Sequence, residues 1–321
     1  MSCIYINKLD KDSFDILLDI KLMDIYPKNF EYDIKYSSLL GLSNKYIDGE
    51  WSIKKFCNFF KDKIVLSALS TEEMELISDS PATSLENAFE NLRKVKAKDN
   101  SEGKITDGEV GEIFLYGIMR EYYQATVLVP KIFYKQNTND TVKGGDSVHI
   151  TLSNNEVGVW FGESKFYSDI NRAIDDSVKS ISDFLKNKIN KEISISYDSL
   201  RLENIKKMLI EKPNEELYNE LKYLLQKDNI DKLKQYMHIP ILILYECDIT
   251  KSSKSQEELI KRYINDIFKE KSLMLLKKQI TKLKENNIFN YESIKFHIIL
   301  FPCIDKDKIM DNINDMAKNY I

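Results

Sequence analysis

The sequence predicts an α/β protein in which helices flank a central mixed sheet. Two near-continuous apolar runs, residues 239–246 and 294–301, are typical of strands that are covered on both faces. A third segment, residues 143–167, predicts a β-hairpin, because the Asn-Asn pair at 154–155 tolerates the positive φ of a two-residue turn. Segments with helical periodicity lie between these strands, so we expect helices to pack against the sheet.

The length of the chain, 321 residues, predicts two domains or one core with additions. We interpret residues 1–100 as an N-terminal accessory unit of mixed α/β character and residues 101–321 as the core. The boundary is expected in the polar, glycine-containing segment 99–108. A charged helical stretch near 193–236 is interpreted as an insertion into the core.

The individual elements follow from local periodicity. In the N-terminal unit, residues 51–69 and 84–98 are helix candidates, and the first carries an apolar stripe at helical spacing. Pro302 is expected to end the last strand. The core is predicted to contain, in chain order, a helix at 109–123, a strand at 125–135, the hairpin, a helix at 166–188, the strand at 239–246, a helix at 255–286, the strand at 294–301 and a helix at 306–320.

Composition excludes several classes of protein. No stretch is apolar enough for a transmembrane helix, and the N-terminus lacks the basic and apolar regions of a signal peptide. Four scattered cysteines without CxxC spacing indicate reduced thiols, not a zinc site or a disulfide framework. We therefore expect a cytoplasmic protein with no membrane partner. The absence of a GxxxxGK[ST] loop argues against ATP hydrolysis by this chain.

The hairpin brings charged side chains together at its open end. Three apolar pairs lead up to them on one face, namely Leu152 with Val157, Ile150 with Val159 and Val148 with Phe161. The next pair is Asp146 with Glu163, and Lys165 follows one step beyond. Opposed β-carbons lie about 4.5–5.5 Å apart and like charges there repel, so a cation between the carboxylates would relieve the repulsion. The sequence predicts a divalent-metal site here, with a structural salt bridge to Lys165 as the alternative.

The predicted helix at 109–123 is a second source of carboxylates. Glu109 and Glu112 are three residues apart and share a face. The helix macrodipole favours a carboxylate near the N-terminus, which accounts for Glu109 better than for Glu112 at the start of an apolar run. Glu112 is our candidate for a third metal ligand, although the sequence leaves open which of the two glutamates faces the metal.

The predicted order is a helix with Glu112, a strand with Asp146 and a Glu-x-Lys motif at 163–165. This order resembles that of the PD-(D/E)xK nuclease superfamily. The proline that usually precedes the aspartate is absent, because this sequence has a glycine there. The phrases GEVGEIFLYGIM, GGDSVHI, WFGESKFY and FHIILFPCIDKDKI more closely resemble the HamA family, the nuclease subunits of the Hachiman anti-phage defence system. The resemblance covers residues 105–310.

The resemblance implies a restriction-endonuclease-like core and a metal-dependent deoxyribonuclease. Asp146, Glu163 and Glu112 would hold Mg²⁺, with Mn²⁺ able to substitute. Lys165 would orient the attacking water or stabilise the charge that develops on the phosphate. The glycines at 144–145 would allow close approach of the DNA backbone.

The resemblance also implies two partners, which are DNA and a HamB-like helicase subunit of the same defence system. That subunit would hold the nuclease inactive and release it when phage DNA is sensed. A net charge of −4 fits a protein that relies on a local groove or a partner for its DNA. Two alternatives stay open: a stand-alone restriction-type endonuclease, and an inert interaction subunit that keeps the nuclease fold.

The three histidines are expected to be structural. His149 faces Trp160 across the predicted hairpin, on the side opposite the carboxylates, and is interpreted as a packed side chain. His238 and His297 lie at or in the buried-type strands.

Overall fold

The computed structural model describes most of the chain between residues 14 and 320. The described residues are 14–24, 37–69, 73, 77, 79–97, 104–129, 146–153, 156–200, 215–263 and 267–320. The glycines at 144–145, the turn at 154–155 and residues 130–135 of a predicted strand lie outside them. What the sequence predicts for these segments stays a prediction.

A seven-stranded mixed sheet forms the centre of the fold, which confirms the predicted α/β class with a central mixed sheet. The described strands are β1 (Phe14–Lys21), β2 (Ser38–Asn44), β3 (Tyr46–Ile47), β4 (Glu50–Trp51), β5 (Thr126–Val129), β6 (Ser147–Ser153), β7 (Glu156–Tyr167), β8 (Met237–Glu246) and β9 (Lys295–Cys303). The sheet order is β1-β2-β9-β8-β7-β6-β5, and β3 pairs with β4 in a separate ribbon. Strands β2, β9, β8 and β7 run parallel, whereas the two edges of the sheet are antiparallel.

Helices cover both faces of this sheet. A π-helical turn, Phe184–Lys188, joins the helix Ile170–Asp183 to the helix Ile189–Leu200. Within the described ranges, no helix combines the length and the apolar character needed to cross a bilayer. The helices are α1 (Ile53–Ala68), α2 (Pro81–Ala97), α3 (Asp107–Glu121), α4 (Ile170–Asp183), α5 (Ile189–Leu200), α6 (Glu215–Leu224), α7 (Ile230–Leu233), α8 (Asp248–Ser252), α9 (Gln256–Tyr263), α10 (Lys269–Glu285) and α11 (Lys306–Lys318).

Strand β8 shows how the apolar sequence serves two cores. Ile241 and Ile243 belong to the core that includes residues of α4, α5 and α10. Leu242 and Leu244 point the other way, into the core that includes α1, α3 and α11. Successive side chains of a strand alternate between faces, so a strand between two helical layers needs apolar residues at every position.

The hairpin has the predicted register. Strands β6 and β7 pair Ser147 with Gly162, which is the position next to the predicted pair of carboxylates. The apolar pairs are Leu152 with Val157, Ile150 with Val159 and Val148 with Phe161, and His149 faces Trp160.

The N-terminal strands lie in the central sheet. Strand β2 pairs in parallel with β9, and β1 pairs with the other edge of β2. The division of the chain near residue 100 stays a prediction, although strands from both sides of it share one sheet. The β2–β9 contact joins segments far apart in sequence, and their apolar patterns do not indicate which strands pair.

The prediction that Pro302 ends the last strand is wrong. Strand β9 continues through Pro302 to Cys303. Its pairing with β2 extends only to Leu300, whereas its pairing with β8 continues. Beyond that point one side of β9 has no neighbouring ladder, so a residue without an N–H can be accommodated there.

Candidate functional site

Asp146 lies at the open end of the hairpin, directly before β6. Its N–H donates to the Gly162 carbonyl at 2.8 Å, which extends the ladder beyond the Ser147–Gly162 pair. Its carboxylate oxygen Oδ2 accepts two hydrogen bonds from Ser164, one from the backbone N–H at 2.7 Å and one from the hydroxyl at 2.8 Å. Asp146 is therefore fixed against β7 beside the Glu-x-Lys motif.

Glu163 is buried between β7 and α4, with only 4% of its surface exposed. The Lys165 ammonium forms an ion pair with its Oε1, and the Ser180 hydroxyl of α4 hydrogen-bonds the same side chain. Burial raises the pKa of Glu163 to about 7, and the charge of Asp146 adds to this effect. The lysine and the serine lower it without restoring the ordinary value, so the carboxylate pair carries an electrostatic cost.

Lys165 lies two residues beyond Glu163 on the same face of β7, and 19% of its side chain is exposed. Burial alone lowers the pKa of Lys165, but the charges of Glu163 and Asp146 outweigh burial and raise that pKa above its usual value. Lys165 is therefore a cation at neutral pH, and both carboxylates act on it.

Helix α3 begins with a capping box that engages Glu109. The Glu109 carboxylate accepts hydrogen bonds from the Thr106 N–H at 2.8 Å and the Thr106 hydroxyl at 3.0 Å. The Thr106 hydroxyl in turn accepts from the Glu109 N–H. Because Glu109 is committed to the start of the helix, Glu112 is the one of these two glutamates that remains as a candidate ligand.

Glu112 is buried in α3, with 9% of its surface exposed. In the part of the chain that the structure describes, no three aspartate, glutamate, histidine or cysteine side chains form a group that could hold a metal ion. The structure thus brings Asp146, Glu163 and Lys165 together, and the role of Glu112 stays a prediction.

Gly111 brings α3 into close contact with β7 behind Asp146. A Cβ at Gly111 would lie 3.0 Å from the Ser164 hydroxyl oxygen and 3.2 Å from the Ser164 Cβ. The helix backbone therefore closes over Ser164, whose hydroxyl is already bonded to Asp146. This contact couples the position of α3 to the orientation of one of the two carboxylates.

The two neighbouring carboxylates are side chains that could hold Mg²⁺. Mg²⁺ binds through oxygen ligands, keeps several waters and commonly uses one or two carboxylates. Asp146 and the buried Glu163 repel each other, and a divalent cation between them would remove that repulsion. A site with two protein ligands would leave positions for water and a phosphate oxygen.

The sequence matches the model of the HamA family over residues 21–317. This match extends over nearly the whole chain and includes both strands of the hairpin. The chain belongs to the HamA family. Asp146, Glu163 and Lys165 all lie inside the matched HamA region.

A curated relative agrees with this assignment. The chain is 31% identical over 99 residues to the protein named Hachiman protein HamA of Bacillus cereus. That alignment covers 31% of this chain and 34% of the relative, so the chain spans about a third of the length of the curated HamA protein that it matches.

A second polar cluster of this HamA-family chain lies on the α3 face of the sheet. His238 Nδ1 lies 2.9 Å from His297 Nε2, and His297 Nδ1 lies 2.8 Å from the Ser38 hydroxyl. The two imidazole rings are parallel within 6°, and Trp160 stacks on His238 with ring centroids 4.0 Å apart. The fold itself supplies the hydrogen-bond partners of these histidines, which agrees with the structural role predicted for them.

His149 is packed, as its position opposite Trp160 predicts. It is 1% exposed, and its ring centroid lies 5.6 Å from that of Tyr116. Burial lowers the pKa of His149 to about 3, so the ring is neutral at physiological pH. It faces α3 and not the carboxylates, because His149 and Val148 point to opposite sides of β6.

Sequence reasoning missed the two serines that hold the carboxylates. Ser164 is the middle residue of the Glu-x-Lys motif, and strand alternation assigns its side chain to the opposite face. Ser180 comes from the next helix, and a contact between elements leaves no local signal. The capping box has a sequence signal, the spacing of Thr106 and Glu109, but the prediction for Glu109 rests on the helix macrodipole alone.

Proposed function

We propose that this chain is the nuclease component of a Hachiman anti-phage defence system and hydrolyses DNA phosphodiesters with a divalent metal. Membership of the HamA family supports the place in a Hachiman system. One observation supports the chemistry above all. Asp146 and the buried Glu163 repel each other at the end of the hairpin, and Lys165 lies beside them.

We assign the core to the PD-(D/E)xK superfamily. Helix α3, strands β5 to β7, helix α4 and strand β8 follow one another in the order that the resemblance implies. The hairpin β6–β7 carries Asp146 at its open end and the Glu-x-Lys motif on the facing strand. The order of elements and the positions of the charges support the same assignment.

Asp146 and Glu163 are the proposed ligands of Mg²⁺ or Mn²⁺, and Glu112 would complete the site directly or through water. When bound, the ion would lower the pKa of a coordinated water and polarise a phosphoryl oxygen. The Asp146 oxygen Oδ2 is engaged by Ser164, so Oδ1 is the oxygen left for a cation. These ligands are anchored before metal or DNA arrives.

Lys165 has two successive roles in this proposal. In the structure its ammonium is the counter-charge of Glu163. A metal ion that takes over this role would free the ammonium to contact the phosphate or the attacking water. Lys165 would then stabilise the negative charge that develops on the phosphate during hydrolysis.

The proposed substrate is DNA, and the proposed partner is a HamB-like helicase subunit of the same system. The chain carries a net charge of −4, whereas proteins that bind DNA by phosphate neutralisation are usually basic. A helicase that delivers DNA to the carboxylate site and controls access to it would compensate for this charge.

The test is cleavage of plasmid DNA in Mg²⁺ by the chain co-purified with its helicase subunit. We expect cleavage by the wild-type complex, none in EDTA, and none with Asp146→Ala, Glu163→Ala or Lys165→Ala. A matched control is Lys45→Ala. Lys45 is 20% exposed and forms an ion pair with the buried Asp15 at 2.7 Å, much as Lys165 does with Glu163.

The control separates chemistry from stability. Both lysine variants remove one partner of a buried ion pair, so a purely structural role for Lys165 predicts similar losses of activity in the two variants. Cleavage that persists in all three site variants would contradict the assignment of Asp146, Glu163 and Lys165 as the site, and no cleavage by the wild-type complex would contradict the nuclease assignment. Full activity of Lys45→Ala with no activity of Lys165→Ala would support it.

A further inference from the structure

We propose that Ser164 is a positioning residue that orients Asp146 for the divalent cation. This inference rests on the proposed function, because it takes Asp146 and Glu163 as the metal ligands. Ser164 lies between Glu163 and Lys165, but its side chain points to the other face of β7 and would not touch the cation. Its role would therefore be exerted through Asp146.

Two hydrogen bonds carry the argument. The Ser164 N–H and the Ser164 hydroxyl both donate to Oδ2 of Asp146, at 2.7 and 2.8 Å. Two donors from one residue fix both the position and the rotation of the carboxylate. The carboxylate is then already held in the rotamer that directs Oδ1 to the cation before the cation binds. Hydrogen bonds of this kind around metal ligands commonly contribute about 10- to 100-fold in metal affinity.

The surroundings of Ser164 restrain the hydroxyl. Ser164 is 4% exposed, and the backbone of α3 lies directly over it at Gly111. A Cβ at Gly111 would come within 3.0 Å of the hydroxyl oxygen, so the serine has little room to turn away from Asp146. Helix α3, Ser164 and Asp146 thus form a continuous support for one side of the metal site.

The chain provides a matched control in Ser147. It neighbours Asp146 on β6 and is 5% exposed, close to the value for Ser164. Among the described residues its hydroxyl has no hydrogen-bond partner. Ser147→Ala therefore removes a buried hydroxyl next to Asp146 without removing a hydrogen bond to the carboxylate.

The experiment measures Mn²⁺ binding to the full chain by calorimetry, together with the Mg²⁺ concentration for half-maximal DNA cleavage. For Ser164→Ala we expect Mn²⁺ affinity to fall about 10-fold and the Mg²⁺ requirement to rise about 10-fold. The cleavage rate at saturating Mg²⁺ should stay within about threefold of wild type, because Lys165 and Glu163 are unchanged. Ser147→Ala should match wild type in both measurements.

A second variant tests the same role if Ser164→Ala does not fold. Gly111→Ala keeps the serine hydroxyl but forces it to shift by a few tenths of an ångström, and we expect Mn²⁺ affinity to fall about threefold. Wild-type affinity in both Ser164→Ala and Gly111→Ala, or an equal loss in Ser147→Ala, would overturn the positioning role. Asp146→Ala tests the metal site itself. Unaltered Mn²⁺ binding in Asp146→Ala would overturn both the proposed metal site and the positioning role of Ser164, whereas weaker binding in Asp146→Ala with wild-type binding in the Ser164 and Gly111 variants would overturn the positioning role alone.

Discussion

Two polar clusters lie beside β7, one at Trp160 and one at Glu163, and they differ in whether the protein balances their charges and hydrogen bonds. At Trp160, two histidines and a serine satisfy one another, and the aromatic ring stacks on them. At Glu163, the charges of two carboxylates repel each other and one lysine counters them only in part. The first cluster is complete within the fold, whereas the second lacks positive charge.

This difference is the reason that we propose the carboxylate cluster, and not the histidine cluster, as the ligand site. A polar network that is satisfied internally needs nothing from outside the protein and stabilises the fold. A buried carboxylate whose pKa is raised to about 7 loses stability at neutral pH, and a cation would restore it. Proteins keep such costs mainly where function requires them, although structural ion pairs also shift pKa values.

The largest expected effect is on DNA cleavage. Glu163→Gln should reduce cleavage about 100-fold or more, because it removes a proposed ligand of an ion that would lower the barrier by several kcal/mol. His238→Gln, in the other cluster, should leave cleavage within about twofold at a temperature where the protein is folded. The measurement is the initial rate on plasmid DNA with Mg²⁺, and a comparable loss in His238→Gln would break the comparison.

The next effect is on stability without metal. The native pKa of Glu163, about 7, lies above the value of 4.5 for an unperturbed glutamate. The native state therefore keeps a proton that the unfolded chain loses, and stability falls as pH rises through this range. At pH 8, Glu163→Gln should be more stable than wild type by up to about 3 kcal/mol. Denaturant unfolding in EDTA at pH 5 and 8 checks this, and a gap that does not grow with pH would contradict it.

The histidine cluster should respond to pH in the opposite direction. Burial lowers the pKa of His297 to about 3, so its neutral form contributes stability above pH 6.5 that is lost as pH falls. His297→Gln should cost about 2 kcal/mol at pH 7 through its lost hydrogen bonds, and the gap to wild type should narrow toward pH 4. Urea unfolding at both pH values measures the gap. A gap that widens on acidification would show that the imidazole is not held neutral.

The smallest expected effect comes from a glycine beside the histidine cluster. A Cβ at Gly158 would lie 2.4 Å from the Thr151 hydroxyl oxygen and 2.9 Å from Trp160 Nε1. Gly158→Ala should therefore destabilise the protein by about 1 kcal/mol while leaving Mn²⁺ affinity unchanged. Thermal unfolding and Mn²⁺ titration of this variant make the comparison, and weaker Mn²⁺ binding would mean that the two clusters are coupled.

The sequence predicted the register of the hairpin better than the surroundings of its charged residues. Strand alternation was enough to pair Val148 with Phe161 and Ile150 with Val159, because it follows from local backbone geometry. The opposition of Asp146 and Glu163, one step beyond the last pair of the ladder, stays a prediction. The contacts of Ser164 and Ser180 could not be predicted in this way. They depend on which helix packs on which face of the sheet.

The same limit applies to the histidine cluster and the sheet. His238 and His297 are 59 residues apart, and only the register between β8 and β9 brings their rings together. The sequence of an apolar strand does not indicate which parallel strand lies beside it. The contact of His238 with His297 and the position of β2 beside β9 could therefore not be predicted from the sequence. Pro302 was misjudged for a related reason, since its effect depends on which side of β9 is paired.

The most direct test of the account is the pKa of the Glu163 carboxyl, measured by ¹³C NMR with and without Mg²⁺ and assigned with Glu163→Gln. Without metal, we expect the pKa of about 7 that burial and Asp146 produce. With saturating Mg²⁺ it should fall below about 5, because the cation favours the charged carboxylate. A pKa that is the same in both conditions would contradict the claim that this carboxylate pair is a metal site.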